Sequence, residues 1–63
     1  MVENRVRQVR QSRLMTLTEL SKKSGVSDRT ISDIERGAEP RVLTAIRIAK
    51  ALGVRVELLW PDV

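Results

Sequence analysis

The chain has 63 residues and a net charge of +4, and it contains neither cysteine nor histidine. Its length and its 41% content of hydrophobic residues suffice for one small core. The missing side chains exclude disulfides, the usual zinc sites and histidine-based catalysis, so we expect no metal and no cofactor. No apolar run approaches the roughly twenty residues of a membrane span, and the first residues lack the apolar core of a signal peptide, which favours a cytoplasmic protein without a membrane partner.

The basic excess lies within residues 1–23. This segment contains six basic and two acidic side chains, whereas residues 24–63 contain six of each. A basic surface attracts phosphate backbones, but solvated helices rich in arginine are also common. Charge alone does not decide between these two alternatives.

The first helix is predicted from Asn4, a suitable N-cap, to about Arg13. Val2, Val6 and Val9 recur at helical spacing and are expected to mark its inner face. Residues 14–15 then connect it to the next helix.

Two further helices follow, joined by a tight turn. Thr16 or Thr18 is expected to cap the second helix, which runs to about Lys23. Ser27 caps the third helix, and Gly37 follows its end, where glycine is favoured.

The spacing of small and apolar residues over about 16–37 indicates a helix-turn-helix. An apolar and a small residue on the second helix let the third cross closely, and a glycine allows the positive φ of the turn. Two isoleucines anchor the third helix on the core, so its opposite face points outward, where such motifs read the DNA major groove. The residues of this pattern are Leu20, Ser21, Gly25, Ile31 and Ile34.

A fourth helix and one last helical turn complete the chain. Pro40 lies near the start of the fourth helix, where its missing N–H is harmless, and Gly53 ends that helix. Residues 57–60 are expected to form the last turn, stopped by Pro61, and a strand at 54–56 is not expected. The stripe expected to be buried on the fourth helix consists of Ala45, Ile46, Ala49 and Leu52.

With these residues in view, the chain resembles the lambda-repressor-like family, the Cro/C1-type or XRE helix-turn-helix domains of bacterial and phage regulators. The resemblance covers roughly residues 4–60. It is carried by the spacing over 20–34, by Ile34-Glu35-Arg36-Gly37 and by Ile48-Ala49-Lys50-Ala51-Leu52-Gly53-Val54.

The resemblance implies an all-α fold, a compact five-helix domain over residues 1–63. It also implies a prokaryotic or phage-encoded transcriptional regulator, such as a repressor. Such a protein binds a palindromic operator in double-stranded DNA as a homodimer, with the recognition helix, here about 27–36, in the major groove.

Particular side chains take roles from the same resemblance. The candidates for reading bases are Asp28, Arg29, Ser32 and Asp33. The candidates for contacts with the DNA backbone are Thr16, Leu17, Ser27, Thr30, Arg36 and Arg41. Arg29 leads the first group because a guanidinium can bridge O6 and N7 of guanine.

The remaining basic residues are expected to have other roles. Arg10 and Glu35 match a pair that forms a structural ion pair between the first and third helices of relatives. The other side chains are expected to steer association or to remain solvated: Arg5, Arg7, Arg13, Lys22 and Lys23.

Two features depart from the family pattern. Most relatives have a glutamine at the position of Leu17, where it touches a phosphate, and here only backbone N–H groups can do so. Two acids, Asp28 and Asp33, lie on the recognition face. A carboxylate here can accept a hydrogen bond from cytosine N4, or it can interact with the helix dipole and orient Arg29. The interaction with the N-terminal end of the helix is preferred for Asp28, and the alternatives stay open for Asp33.

The last helical turn supplies the candidates for a dimer interface, because relatives often dimerise through this segment. The candidates are Leu58, Leu59 and Trp60. Trp60 has a second interpretation as a lid on the core, which is common for a lone tryptophan at the end of a small domain.

A different class of function is also compatible with the sequence. The departures described above favour, as an alternative, an antitoxin or adaptor whose main ligand is another protein. We do not expect an enzyme, because the chain is too short for a deep pocket and its carboxylates are not paired. We expect no small-molecule ligand, since ligand-responsive regulators normally carry a second domain.

Overall fold

The computed structural model describes residues 2–61, and within them it contains five helices and no strand. The helices are α1 (Val6–Ser12), α2 (Leu17–Ser24), α3 (Asp28–Glu35), α4 (Val42–Leu52) and α5 (Val56–Leu59). The all-α, five-helix prediction is therefore confirmed. None of these helices has both the length and the apolar character needed to cross a membrane.

Helix α1 begins slightly later than predicted, but Asn4 still serves its first turn. The Oδ1 atom of Asn4 accepts a hydrogen bond from the N–H of Val6 at 3.0 Å. Its Nδ2 atom donates to the carbonyl of Ile34 at 2.8 Å. Asn4 therefore also ties the N-terminal segment to α3, a long-range contact that the sequence did not indicate.

The helix-turn-helix is defined by local caps. Thr16, not Thr18, caps α2: its Oγ1 atom accepts from the N–H of Glu19, whose carboxylate accepts from the N–H of Thr16. The hydrogen bonds that the carboxylate receives from the N–H of Thr16 and from its side chain hold the pKa of Glu19 below its ordinary value. Gly25 adopts φ +74° in the turn, and a Cβ atom there would meet nothing within 4 Å. The backbone conformation, rather than crowding, therefore explains this glycine.

The core is built where α2, α3, α4 and α5 meet. Leu20, Ile31 and Ile34 are buried, as predicted for the inner faces of the motif. Val6 of the first segment lies within this cluster, and Val2 and Val9 pack against it. The buried residues therefore fix the two helices of the motif against the core, and the opposite side of α3 is exposed to solvent.

One predicted core residue is wrong. Ile46 is 38% exposed, and Ile48 is buried in its place. An α-helix turns by about 100° per residue, so the buried stripe of α4 recurs at three- and four-residue steps from Ala45 through Ile48 and Ala49. Ile46 lies one residue past the start of this stripe and faces outward.

Two of the three dimer-interface candidates are also wrong. Leu59 and Trp60 are buried within the single chain, so Trp60 is a lid on the core. Helix α5 is a single turn that packs against α4, and only Leu58 of the three side chains is exposed. Consecutive residues of one turn point in different directions, so three neighbours cannot all face a partner.

Candidate nucleic-acid interface

The N-termini of α2 and α3 lie side by side. The Oγ1 atom of Thr18, in the first turn of α2, donates to Oδ2 of Asp28, the first residue of α3, at 3.1 Å. The first N–H groups of a helix have no acceptor within it and carry the positive end of its dipole. Two such ends together form a surface suited to phosphate groups.

The hydroxyl groups at these helix ends are unequally available. Ser27 Oγ accepts from the N–H of Thr30 and donates to Thr30 Oγ1 at 2.9 Å. Its hydroxyl hydrogen is therefore already used in a bond at the helix end. Thr30 receives that bond and keeps its own hydroxyl hydrogen as a donor. The Thr16 hydroxyl accepts from the N–H of Glu19 and also serves the Glu19 carboxylate within the α2 cap. Of these three hydroxyl groups, that of Thr30 therefore has a donor that no bond within a helix end uses.

Leu17 faces the core. Its side chain is half-buried and packs against the core. A leucine side chain has no hydrogen-bonding group. Leu17 can therefore approach a phosphate only through its backbone N–H group at the start of α2.

The outward face of α3 carries the predicted base-reading side chains. Arg29, Ser32, Asp33 and Arg36 are spaced so that they share one side of the helix. Arg29 is 89% exposed, and its Nε atom lies 3.5 Å from Oδ2 of Asp33. This pair is exposed and loose, so Arg29 can exchange Asp33 for a base edge.

Asp28 is placed differently from the other candidates. It lies in the first turn of α3, where a carboxylate favours the helix dipole, and it accepts the hydrogen bond from Thr18. Both observations support the capping interpretation of this residue.

Arginines line two depressions beside α3. Arg41 lines a surface depression with Thr30 and Asp33 of α3. Arg36 lines a separate depression with Arg5 from the N-terminal segment. The two depressions beside α3 therefore both carry basic side chains that are exposed to solvent.

Arg10 and Glu35 form the ion pair that the resemblance implied. Nε of Arg10 lies 2.8 Å from Oε2 of Glu35, whose side chain is 1% exposed, and Nη1 donates to the carbonyl of Met15 at 2.8 Å. Arg7 joins the same carboxylate, with Nε at 3.3 Å from Oε1. This cluster links α1 to the end of α3 and is structural.

The expectation that Arg7 and Arg13 only steer association is wrong. Arg7 binds Glu35, and Arg13 donates from Nε to the carbonyl of Leu52, at the end of α4, at 2.6 Å. Much of the basic excess of the first segment therefore stabilises the fold. No local signal indicated these contacts, because their partners lie far away along the chain.

Comparison with known proteins agrees with this geometry. Residues 6–59 match the family described as helix-turn-helix (HTH_3). The chain belongs to the lambda-repressor-like helix-turn-helix family. The chain is also 39% identical over 57 residues to an uncharacterized HTH-type transcriptional regulator of Methanocaldococcus jannaschii, covering 89% of this chain and 86% of that relative.

Membership of this family confirms the resemblance inferred from the motif residues. Lambda-repressor-like helix-turn-helix proteins are DNA-binding transcriptional regulators, a class that is generally not enzymatic. The matched region begins with α1 and ends with α5, so it contains every helix of residues 2–61.

Proposed function

We propose that this helix-turn-helix protein is a cytoplasmic transcriptional regulator that binds a palindromic operator as a homodimer, with α3 in the major groove. The observation that carries the proposal is the pairing of the α2 and α3 N-termini through Thr18 and Asp28. Because the N-termini of α2 and α3 lie side by side, phosphate contacts at these termini would position α3 against the bases. The 63 residues are proposed to act as one DNA-binding domain.

Base reading is proposed to centre on Arg29. Its exposed guanidinium can donate to O6 and N7 of guanine, the most common specific contact in the major groove. Asp33 lies one turn further along α3 and would orient Arg29 through the contact at Nε. Ser32 lies on the same face and would contact a neighbouring base.

Phosphate contacts are proposed around the edge of this face. Arg36 and Arg41 would neutralise phosphates beside α3, where they line separate depressions. The hydroxyl groups of Thr16 and Thr30 and the backbone N–H of Leu17 would bind phosphates at the helix ends.

The proposed dimer contact lies on α4 and α5 and includes Leu58. Val42, Leu43 and Ile46 of α4 are also exposed apolar side chains and are proposed to contribute to this contact. The two α3 helices would need to lie about 34 Å apart to enter successive major grooves.

Selection of bound duplexes from a random DNA library, at near-physiological salt, tests this proposal. We expect one enriched palindromic sequence whose half-sites are one helical turn apart. An enriched single half-site would contradict the homodimer but support α3 as the reading element. Enrichment of no sequence would contradict specific DNA recognition by this surface.

A further inference from the structure

A second basic surface lies at the C-terminal ends of α2 and α4. It is a groove of about 680 Å³ beside the turn between α1 and α2. Four cationic side chains line it, namely Arg13, Lys22, Lys23 and Lys50. The DNA interface proposed above uses none of them.

The groove carries a clear positive excess. Its one acidic side chain, Glu19, is held by the N–H of Thr16 as part of the α2 cap. Cations in the last turn of a helix complement its dipole, which explains each lysine separately. Their convergence from two helices, with Arg13 from a third element, creates a field that favours an anionic partner.

Leu14 is an apolar residue next to this groove along the chain. Its neighbours on both sides in the chain, Arg13 and Met15, line the groove, and Leu14 itself is 90% exposed. A large apolar side chain at this exposure contributes almost nothing to the core of the single chain. It is therefore available for burial against another molecule.

The backbone of Leu14 makes its identity unusual. After α1, Met15 N–H donates to the carbonyl of Arg10 and Leu14 adopts φ +56°, an arrangement that strongly favours glycine. The corresponding residues after α3 and α4 are Gly37 and Gly53. Leucine at this position is strained without any packing in return, which is a pattern expected at functional positions.

We propose that Leu14 and the groove formed by Arg13, Lys22, Lys23 and Lys50 bind an acidic protein segment that also carries apolar side chains. The four cations supply charge complementarity for its carboxylates. The side chain of Leu14 would be buried against the apolar residues of the bound segment. A nucleic-acid backbone would satisfy the cations but would leave this leucine exposed, so the surface favours a protein partner.

The cations of the groove lie apart from the side chains of α3, although the groove reaches the start of α2. The depression beside α3 contains Thr44, near the start of α4, whereas the groove contains Lys50 to Gly53, at its end. Met15 and Glu19, which also line the groove, flank the phosphate contacts proposed at residues 16–17. Leu14 and the four cations are not among the residues proposed to contact DNA, so the inference does not rest on the proposed DNA function.

Selection of peptides that bind the full chain, from a displayed library of random 12-residue peptides, tests this proposal. We expect enriched peptides that combine Asp or Glu with Leu, Ile or Phe. Lys50→Glu should weaken their binding about tenfold or more, while Arg47→Glu, the same charge change on α4 outside the groove, should leave it nearly unchanged. Circular dichroism would verify that every variant is folded.

Leu14→Gly separates the apolar contribution from the charge. Glycine suits the backbone at φ +56°, so this variant should fold at least as well as the native chain. It should weaken binding of the enriched peptides about fivefold or more, while Gln11→Ala, a change at an exposed residue of α1 outside the groove, should not. Enrichment of purely acidic peptides, peptide binding unaffected by Lys50→Glu, or no enrichment would each overturn the proposal.

Discussion

Two arginine–carboxylate pairs, one within α3 and one between α1 and α3, share the same chemistry and differ in burial. Arg10 lies 2.8 Å from Glu35, whose side chain is 1% exposed, whereas Arg29, 89% exposed, lies 3.5 Å from Asp33. Removing one partner of a buried pair leaves an uncompensated charge, but water screens an exposed pair and makes it worth little. Burial therefore makes one arginine a part of the fold and leaves the other free for a ligand.

The buried pair is broken most directly by Glu35→Ala. The change leaves Arg10 without its carboxylate, and we expect the free energy of unfolding to fall by about 3 kcal/mol. Urea denaturation followed by circular dichroism measures this loss. Asp33→Ala removes the exposed carboxylate instead and should change stability by no more than about 0.5 kcal/mol. Equal losses in the two variants would contradict the distinction.

The exposed pair is tested by Arg29→Ala. This change should leave stability nearly unaltered but weaken binding to the selected operator by about 1–3 kcal/mol and relax the preference at one base pair. Fluorescence anisotropy with the operator and with single-base variants measures both effects. Arg47→Ala, an exposed arginine of α4 away from α3, is the matched control. An unchanged preferred sequence would exclude Arg29 as a reader.

An arginine that contacts only phosphate should behave in a third way. Arg41→Ala should weaken binding to operator and unrelated DNA by similar factors, because phosphates carry no sequence information. The slope of log binding constant against log salt concentration should become shallower by about 1. Titrations at several salt concentrations would show this. A loss confined to the operator would instead indicate that Arg41 reads bases.

The smallest expected effect concerns Glu19, an exposed carboxylate that binds only its own helix end. Hydrogen bonds from Thr16 hold the pKa of Glu19 below its ordinary value. Such a group stabilises the fold above its unfolded-state pKa and loses that contribution as the pH falls through its folded-state pKa. Between about pH 5 and pH 3, the melting temperature of the Glu19→Gln variant should therefore fall less than that of the native chain. Melting temperatures that fall equally with pH in the two chains would contradict this.

The helix boundaries were largely predictable because the signals for starting and ending a helix are local. Ser27 caps α3, and Gly25 and Gly53 follow α2 and α4 as expected. The outward face of α3 also follows from spacing, since Ile31 and Ile34 mark the opposite side. The pairing of Thr18 with Asp28 was not predictable, because it depends on how closely the turn brings the two helices together.

The five helices, the helix-turn-helix and the family could be predicted from sequence, because capping, turn chemistry and apolar spacing act over a few residues. Packing between helices, by contrast, buries Ile48 rather than Ile46 and places Trp60 over the core. Packing also brings Arg13 to the carbonyl of Leu52. Spacing defines the faces of each helix relative to its own axis, but the direction of the core and the partner of each charge depend on which other helices pack there.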